Sequence, residues 1–124
     1  MSRTLQKKHI ATFLLLLLLV ASAPLVFAHS HPVSMDPAAN ATTASPEKVT
    51  MHFSGDLEPK FSSITVSNAT GHVVNKEGSV VSTGDAKLMT VALPKLPAGV
   101  YTVDWTAVSV DSHRMQGSYN FTVK

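Results

Sequence analysis

The chain contains no cysteine. That excludes disulfide bonds, thiolate metal sites and thiol redox chemistry, and it leaves an exported domain of this size to be held by packing alone. No window has the 3.6-residue apolar period of an amphipathic helix, no glycine-rich loop is placed to cradle a phosphate, and no unit of 20 to 50 residues repeats. A basic surface is missing too, although Lys and Arg number 10 against 8 Asp and Glu. Arg3, Lys7 and Lys8 all lie in the first 28 residues, which contain no acid, so seven bases face eight acids in the remainder. A net charge near −1 offers nothing to draw in nucleic acid or anionic lipid by long-range attraction.

A membrane-spanning run is also lacking. The apolar stretch from Ile10 to Ala21 is 12 residues long and is followed by Ser22 and Pro24, against roughly 20 apolar residues needed to cross a bilayer. With the basic residues before it and Val26-Phe27-Ala28 after it, the stretch has the layout of a secretory signal peptide cleaved after Ala28 rather than of an uncleaved anchor. Residues 29–124 would then form the exported, periplasmic protein, one domain with no stable membrane anchoring.

What is present reads as β structure. Between His29 and Glu47 the prolines at 32, 37 and 46 forbid a helix and suggest an extended arm with a short edge strand at Val33 to Met35. Val49, Met51 and Phe53 alternate with polar residues, as do Ile64 and Val66, giving half-buried strands. Asn68-Ala69-Thr70-Gly71 is a turn, with a returning strand at His72 to Asn75. Further strands are expected at Ser79 to Ser82 and Leu88 to Leu93. A long hairpin closes the chain, with Tyr101, Val103, Trp105 and Ala107 on one face of its first strand and Tyr119, Phe121 and Val123 on one face of its second. Trp105 is expected at the centre of the core. About seven short strands with turns between them indicate an all-β fold, an antiparallel Greek-key sandwich or small barrel.

Chemistry concentrates at two distant places. Cleavage after Ala28 would leave His29-Ser30-His31-Pro32 at the N-terminus, where one histidine offers both its α-amine and its imidazole Nδ1 to a metal ion. Asp111 and His113 lie at the tip of the hairpin, two residues apart, a spacing that in extended backbone puts both side chains on one face. Two imidazoles, an amine and a carboxylate form a nitrogen and oxygen set without thiolate, which favours Cu(II) on geometry and on the Irving–Williams order. A competing site is purely local: the amine, two deprotonated amides and the His31 imidazole can wrap Cu(II) or Ni(II) with no help from the fold. In that case Asp111 and His113 would be bystanders. His52 is a weaker ligand candidate on the polar face of its strand, His72 a surface residue, and Arg114 a hydrogen-bonding partner for Asp111 or another acid. Met51 reads as core, and the scattered methionines offer no Cu(I) cluster. Asp111, Ser112 and His113 are adjacent in sequence and cannot form a nucleophile–base pair, so no hydrolytic triad is assembled.

The segments Pro37-Ala38-Ala39-Asn40, Ser45-Pro46-Glu47-Lys48, Phe53-Ser54, Pro97 through Trp105, Val108-Ser109-Val110-Asp111-Ser112-His113 and Gly117 through Lys124, together with the histidine released by the signal cut, resemble the periplasmic copper-resistance protein C (CopC) family over essentially the whole exported chain. The resemblance implies a seven-stranded Greek-key β-barrel of immunoglobulin-like or cupredoxin-like form that binds one Cu(II) per chain. His29, Asp111 and His113 would be ligands, and His31 a possible further donor. Some members also carry a methionine-rich loop for Cu(I); the segment from Phe61 to His72 has no methionine, and the chain resembles the short form. The implied role is copper sequestration, carriage and resistance by a monomeric, non-enzymatic carrier, with delivery to an inner-membrane transporter of the CopD type. Two rivals stand beside it: a copper monooxygenase, which needs an open coordination position and a substrate surface, and a metal-free β-sandwich interaction module.

Overall fold

The computed structural model describes residues 29–124. The expected leader over residues 1–28 and the cut after Ala28 lie outside the described residues. Eight strands follow: β1 (Pro32–Asp36), β2 (Thr42–Thr43), β3 (Lys48–Phe53), β4 (Ser63–Ser67), β5 (Val80–Val81), β6 (Leu88–Ala92), β7 (Gly99–Val108) and β8 (Arg114–Val123). They form two four-stranded sheets, ordered β1-β3-β6-β5 and β2-β8-β7-β4. Only β5–β6 and β7–β8 are both consecutive and paired, and every other connection crosses from one sheet to the other, the pattern of a Greek-key sandwich. No helix among the described residues is long and apolar enough to cross a membrane.

Alternation builds the core. Val49, Met51 and Phe53 of β3, Ile64 and Val66 of β4, Met89 and Val91 of β6, and Tyr101, Val103 and Ala107 of β7 are all buried, while their sequence neighbours are not. This is what strands with one face on a core require. Tyr101 pairs with Phe121 across β7 and β8, their rings stacked at 5.6 Å. The Tyr101 hydroxyl donates to the Pro97 carbonyl oxygen at 2.7 Å, so its burial strands no polar atom.

Four details differ from the sequence reading. β2 is a two-residue strand that had no signal of its own, and it runs parallel to β8, so the sheets are not wholly antiparallel and the strands number eight rather than seven. His72 to Asn75 does not form a strand; it makes one bridge, Ser67 to Val73. The reason lies in its side chains. Asn75 Oδ1 accepts from the Val66 N–H at 2.9 Å and Ser79 Oγ from the Ile64 N–H at 2.8 Å, so polar side chains take the outer edge of β4 where a ladder would have formed. Finally, Trp105 is only partly buried. It packs edge-on against Phe53 at 5.6 Å and leans over its cross-strand partner Gly117, where a Cβ would come within 2.6 Å of the indole. Glycine is required there because the ring occupies the space of the missing side chain.

Candidate metal centre

The first half of the site is the corner joining β7 to β8. The ladder ends at Val108 and Arg114, and between them the Ser112 N–H donates to the Ser109 carbonyl at 2.9 Å and the Ser109 N–H to the His113 carbonyl at 2.9 Å. Ser112 has φ 72°, a left-handed conformation that closes the turn. Asp111 and His113 therefore meet in a tight turn, not in the extended backbone that the spacing rule assumed. The loop after β3 buttresses this corner. The Glu58 N–H donates to the Val108 carbonyl at 2.8 Å, the Val110 N–H to the Asp56 carbonyl at 3.2 Å, and the Val108 N–H to Ser62 Oγ at 3.0 Å.

Asp111 Oδ1 is the hub of the corner. It accepts from the Ser109 hydroxyl in a very short contact and from the His113 N–H at 3.3 Å, and it lies 3.1 Å from His113 Nδ1. The Ser109 hydroxyl holds the Asp111 carboxyl down to about 2 against the opposing effect of burial, with His113 adding lesser contributions in the same direction as Ser109. Asp111 is thus an anion throughout the neutral range. By engaging one ring nitrogen it also fixes the orientation of the His113 imidazole, as carboxylate partners of metal-binding histidines do.

The second half is the arm ahead of β1. Ser30 is buried, its Oγ 2.7 Å from where a Cβ on Gly55 would stand. Ser54, directly after β3, grips the backbone and side chain on either side of it. Its Oγ donates to the His29 carbonyl at 2.9 Å, accepts from the His31 N–H at 3.1 Å and lies 3.0 Å from His31 Nδ1; the Ser54 N–H donates to the His31 carbonyl at 2.9 Å. So held, the arm brings the His29 ring against that of His113, centroids 4.7 Å apart and nearly perpendicular.

The fold therefore unites three of the four residues singled out from the sequence: His29, Asp111 and His113. His31 is turned to Ser54, and its Nδ1 also lies 3.3 Å from the His29 carbonyl. Among the described residues no group of three or more His, Cys, Asp or Glu side chains is arranged to hold a metal ion; the assembled elements are a pair of imidazoles with a carboxylate on one of them. His52 is engaged elsewhere, 3.2 Å from Asp85, and His72 meets Thr70 in the β4 turn. No hydrogen bond or ion pair joins Arg114 to Asp111 among the described residues; Ser109 supplies the hydrogen bond instead. Ser54 and Ser109 are the two residues that sequence reasoning missed. Ser109, two positions before Asp111, could have been suspected as the start of a turn, whereas nothing near Ser54 marks it as the partner of a distant arm.

Comparison with known proteins places the fold. The model of the CopC domain matches residues 32–124. Copper resistance protein C of Escherichia coli is 39% identical over 104 residues, covering 78% of this chain and 82% of that protein. The copper transport protein CutJ of Bacillus subtilis is 35% identical over 112 residues, which are 89% of this chain and 21% of CutJ. The crystal structure of CopC from Methylosinus trichosporium OB3b superimposes with a TM-score of 0.73 at 36% identity, covering 77% of this chain and 94% of that one. A sandwich whose one polar corner joins a histidine arm to an Asp-x-His turn, matched over nearly all its described length, belongs to the CopC domain family.

Proposed function

We propose that the chain is a periplasmic Cu(II) carrier in copper resistance and homeostasis, binding one ion between the arm and the corner. The observation that carries this reading is the contact of the His29 and His113 rings, two imidazoles from opposite ends of the chain with an anionic carboxylate beside them. Nitrogen and oxygen donors without thiolate suit Cu(II). With the leader removed after Ala28, His29 adds its α-amine to its imidazole, His113 supplies the second ring, and Asp111 supplies charge and an oxygen within reach. His31 stays outside this set, held by Ser54.

The same arrangement accounts for carriage. The corner is fixed by its turn and by the loop behind it, while the arm arrives from another part of the chain, so ligands are lost when the arm lifts. Delivery of the ion to a membrane copper importer accords with CutJ, a copper transport protein in which the matching region is about a fifth of the length. The chain acts as a monomer and not as an enzyme. Tyr101 is buried, and Trp105 is partly buried with its ring edge-on to Phe53, so neither offers a fully open face for stacking on a sugar.

The test is Cu(II) titration of the exported protein, beginning at His29, and of His113→Ala, between pH 5 and 8. One ion per chain is expected, with affinity falling steeply toward pH 5 as protons compete for the amine and both rings. Loss of His113 should cost more than the roughly hundredfold typical of an orienting partner. An affinity flat with pH, or indifferent to His113→Ala, contradicts the assignment.

A further inference from the structure

We infer that Ser54 is a positioning residue that decides which nitrogens of the N-terminal arm a metal ion can reach, and that it suppresses the fold-independent amine-terminal site of His29-Ser30-His31. The inference rests on the copper reading above. It adds a determinant of coordination mode and metal selectivity on a strand end that supplies no ligand.

The local site needs four nitrogens in one plane: the α-amine, the amide nitrogens of Ser30 and His31, and His31 Nδ1, with both amide protons released to solvent. Ser54 occupies two of these. Its Oγ accepts from the His31 N–H at 3.1 Å and lies 3.0 Å from His31 Nδ1. The second contact has a definite polarity. His31 Nδ1 is also 3.3 Å from the His29 carbonyl oxygen, which can only accept, so the tautomer that satisfies both contacts carries its hydrogen on Nδ1. The Ser54 hydroxyl donates to that same carbonyl at 2.9 Å and is left as an acceptor for both His31 groups. One oxygen thus gives one hydrogen bond and takes two, with no donor facing a donor. A nitrogen that carries its hydrogen offers no lone pair to a metal.

The remaining members are restrained as well. Ser30 is 1% exposed and packed against Gly55, and the His31 carbonyl accepts from the Ser54 N–H at 2.9 Å. Folding four nitrogens into a plane would require moving buried Ser30 and breaking both contacts of Ser54 Oγ with the His31 nitrogens. The His29–His113 arrangement requires neither. It uses the arm as docked and leaves the His31 amide proton in place. Ni(II), for which the planar amide site is the favoured mode, would be the metal most strongly excluded.

The experiment compares the exported protein, Ser54→Ala, Ser54→Thr and the peptide His-Ser-His-Pro. Ni(II) alone is the probe, and the diamagnetic, yellow planar complex is the readout. Nitrogen NMR of the His31 ring in metal-free protein, at a pH where the ring is neutral, provides a second readout. The peptide should form the planar complex readily. The wild-type protein should bind Ni(II) in this mode at least tenfold more weakly than Ser54→Ala, the scale set by losing hydrogen bonds of ordinary strength. Threonine should restore the wild-type behaviour, since it keeps the hydroxyl. The His31 ring hydrogen should lie on Nδ1 in the wild type and move to Nε2 in Ser54→Ala. Planar Ni(II) binding by the wild type as tight as by the peptide, or by Ser54→Ala no tighter than by the wild type, overturns the inference. Should Cu(II) binding still depend on His113 in that case, the carrier function survives and only the role of Ser54 falls. Cu(II) binding indifferent to His113→Ala instead sinks the function itself.

Discussion

The two ends of the β7–β8 hairpin are built from the same alternating pattern and carry different loads. At the end nearest the chain terminus Tyr101, Val103, Phe121 and Val123 are all buried, with the Tyr101 and Phe121 rings stacked. Toward the corner the inward positions of β8 are Met115 and Gly117, neither fully buried, and Trp105 leans across the glycine. One end spends its side chains on packing. The other gives up apolar density so that a turn stiffened by hydrogen bonds can present Asp111 and His113. Stability and metal binding should therefore be separable by mutations in a single hairpin.

The largest effect that tests this separation is expected at the packed end. Phe121→Ala removes a fully buried ring from the centre of the cluster, and a truncation of this kind costs about 3–5 kcal/mol. Urea unfolding should show that loss, while the folded fraction keeps its Cu(II) affinity within about twofold. A large drop in affinity at unchanged stability would mean that the two ends are not independent.

The converse variant is Ser109→Ala at the corner. Its hydroxyl is the main reason that Asp111 sits near 2, and it ties that carboxylate to the turn. Stability should fall by only about 1 kcal/mol, the net worth of a hydrogen bond. Cu(II) affinity should fall about tenfold or more, as when an orienting partner is lost. The sign of the pH effect follows from the depressed carboxyl. In the wild type its contribution to the folded state is present above the ordinary carboxylate value of 3.8 and is lost as pH falls toward 2. In Ser109→Ala the loss begins at higher pH. Stability measured from pH 5 down to 2 should fall earlier in the variant than in the wild type.

How much of this was legible in the sequence depended on whether a contact had a period. The core strands were, because alternation with period 2 is written residue by residue in Val49 to Phe53, Leu88 to Ala92 and Tyr101 to Ala107. His29, Asp111 and His113 were legible as candidates, since their chemistry is unusual enough to notice, and the fold brings them together. The returning strand expected at His72 was not, because Asn75 and Ser79 satisfy the edge of β4 with side chains, and side-chain acceptors leave no periodic trace. Ser54 was hidden for a related reason. Its partners are more than twenty positions away in an arm without regular pattern, and the bond that matters is set by the approach of two segments. Asp111 and His113 were grouped correctly by a rule that does not apply to them. They meet because Ser112 adopts φ 72°, a value the alternation argument cannot supply.

The smallest effect is expected between the two ends, at Tyr119, which pairs with Val103. Its hydroxyl is buried without a hydrogen-bond partner among the described residues. Partial burial, with a lesser contribution from the Asp36 carboxylate, pushes its pKa up to about 12. Unfolded, the phenol titrates near 10. Between these values the unfolded chain gives up a proton that the folded chain keeps, so the unfolded state is favoured as pH rises. The stabilising contribution is complete below about pH 10 and is lost as pH passes through about 12. The side chain as a whole is only partly buried, which reduces the effect to less than about 1 kcal/mol. Tyr119→Phe removes both the ionisation and the unpartnered hydroxyl. It should be at least as stable as the wild type at pH 7 and should lose less stability between pH 9 and 11, with Cu(II) binding unchanged. Equal alkaline slopes for the two proteins would show that the hydroxyl reaches water, and would move the boundary of the packed end from Tyr119 toward Phe121.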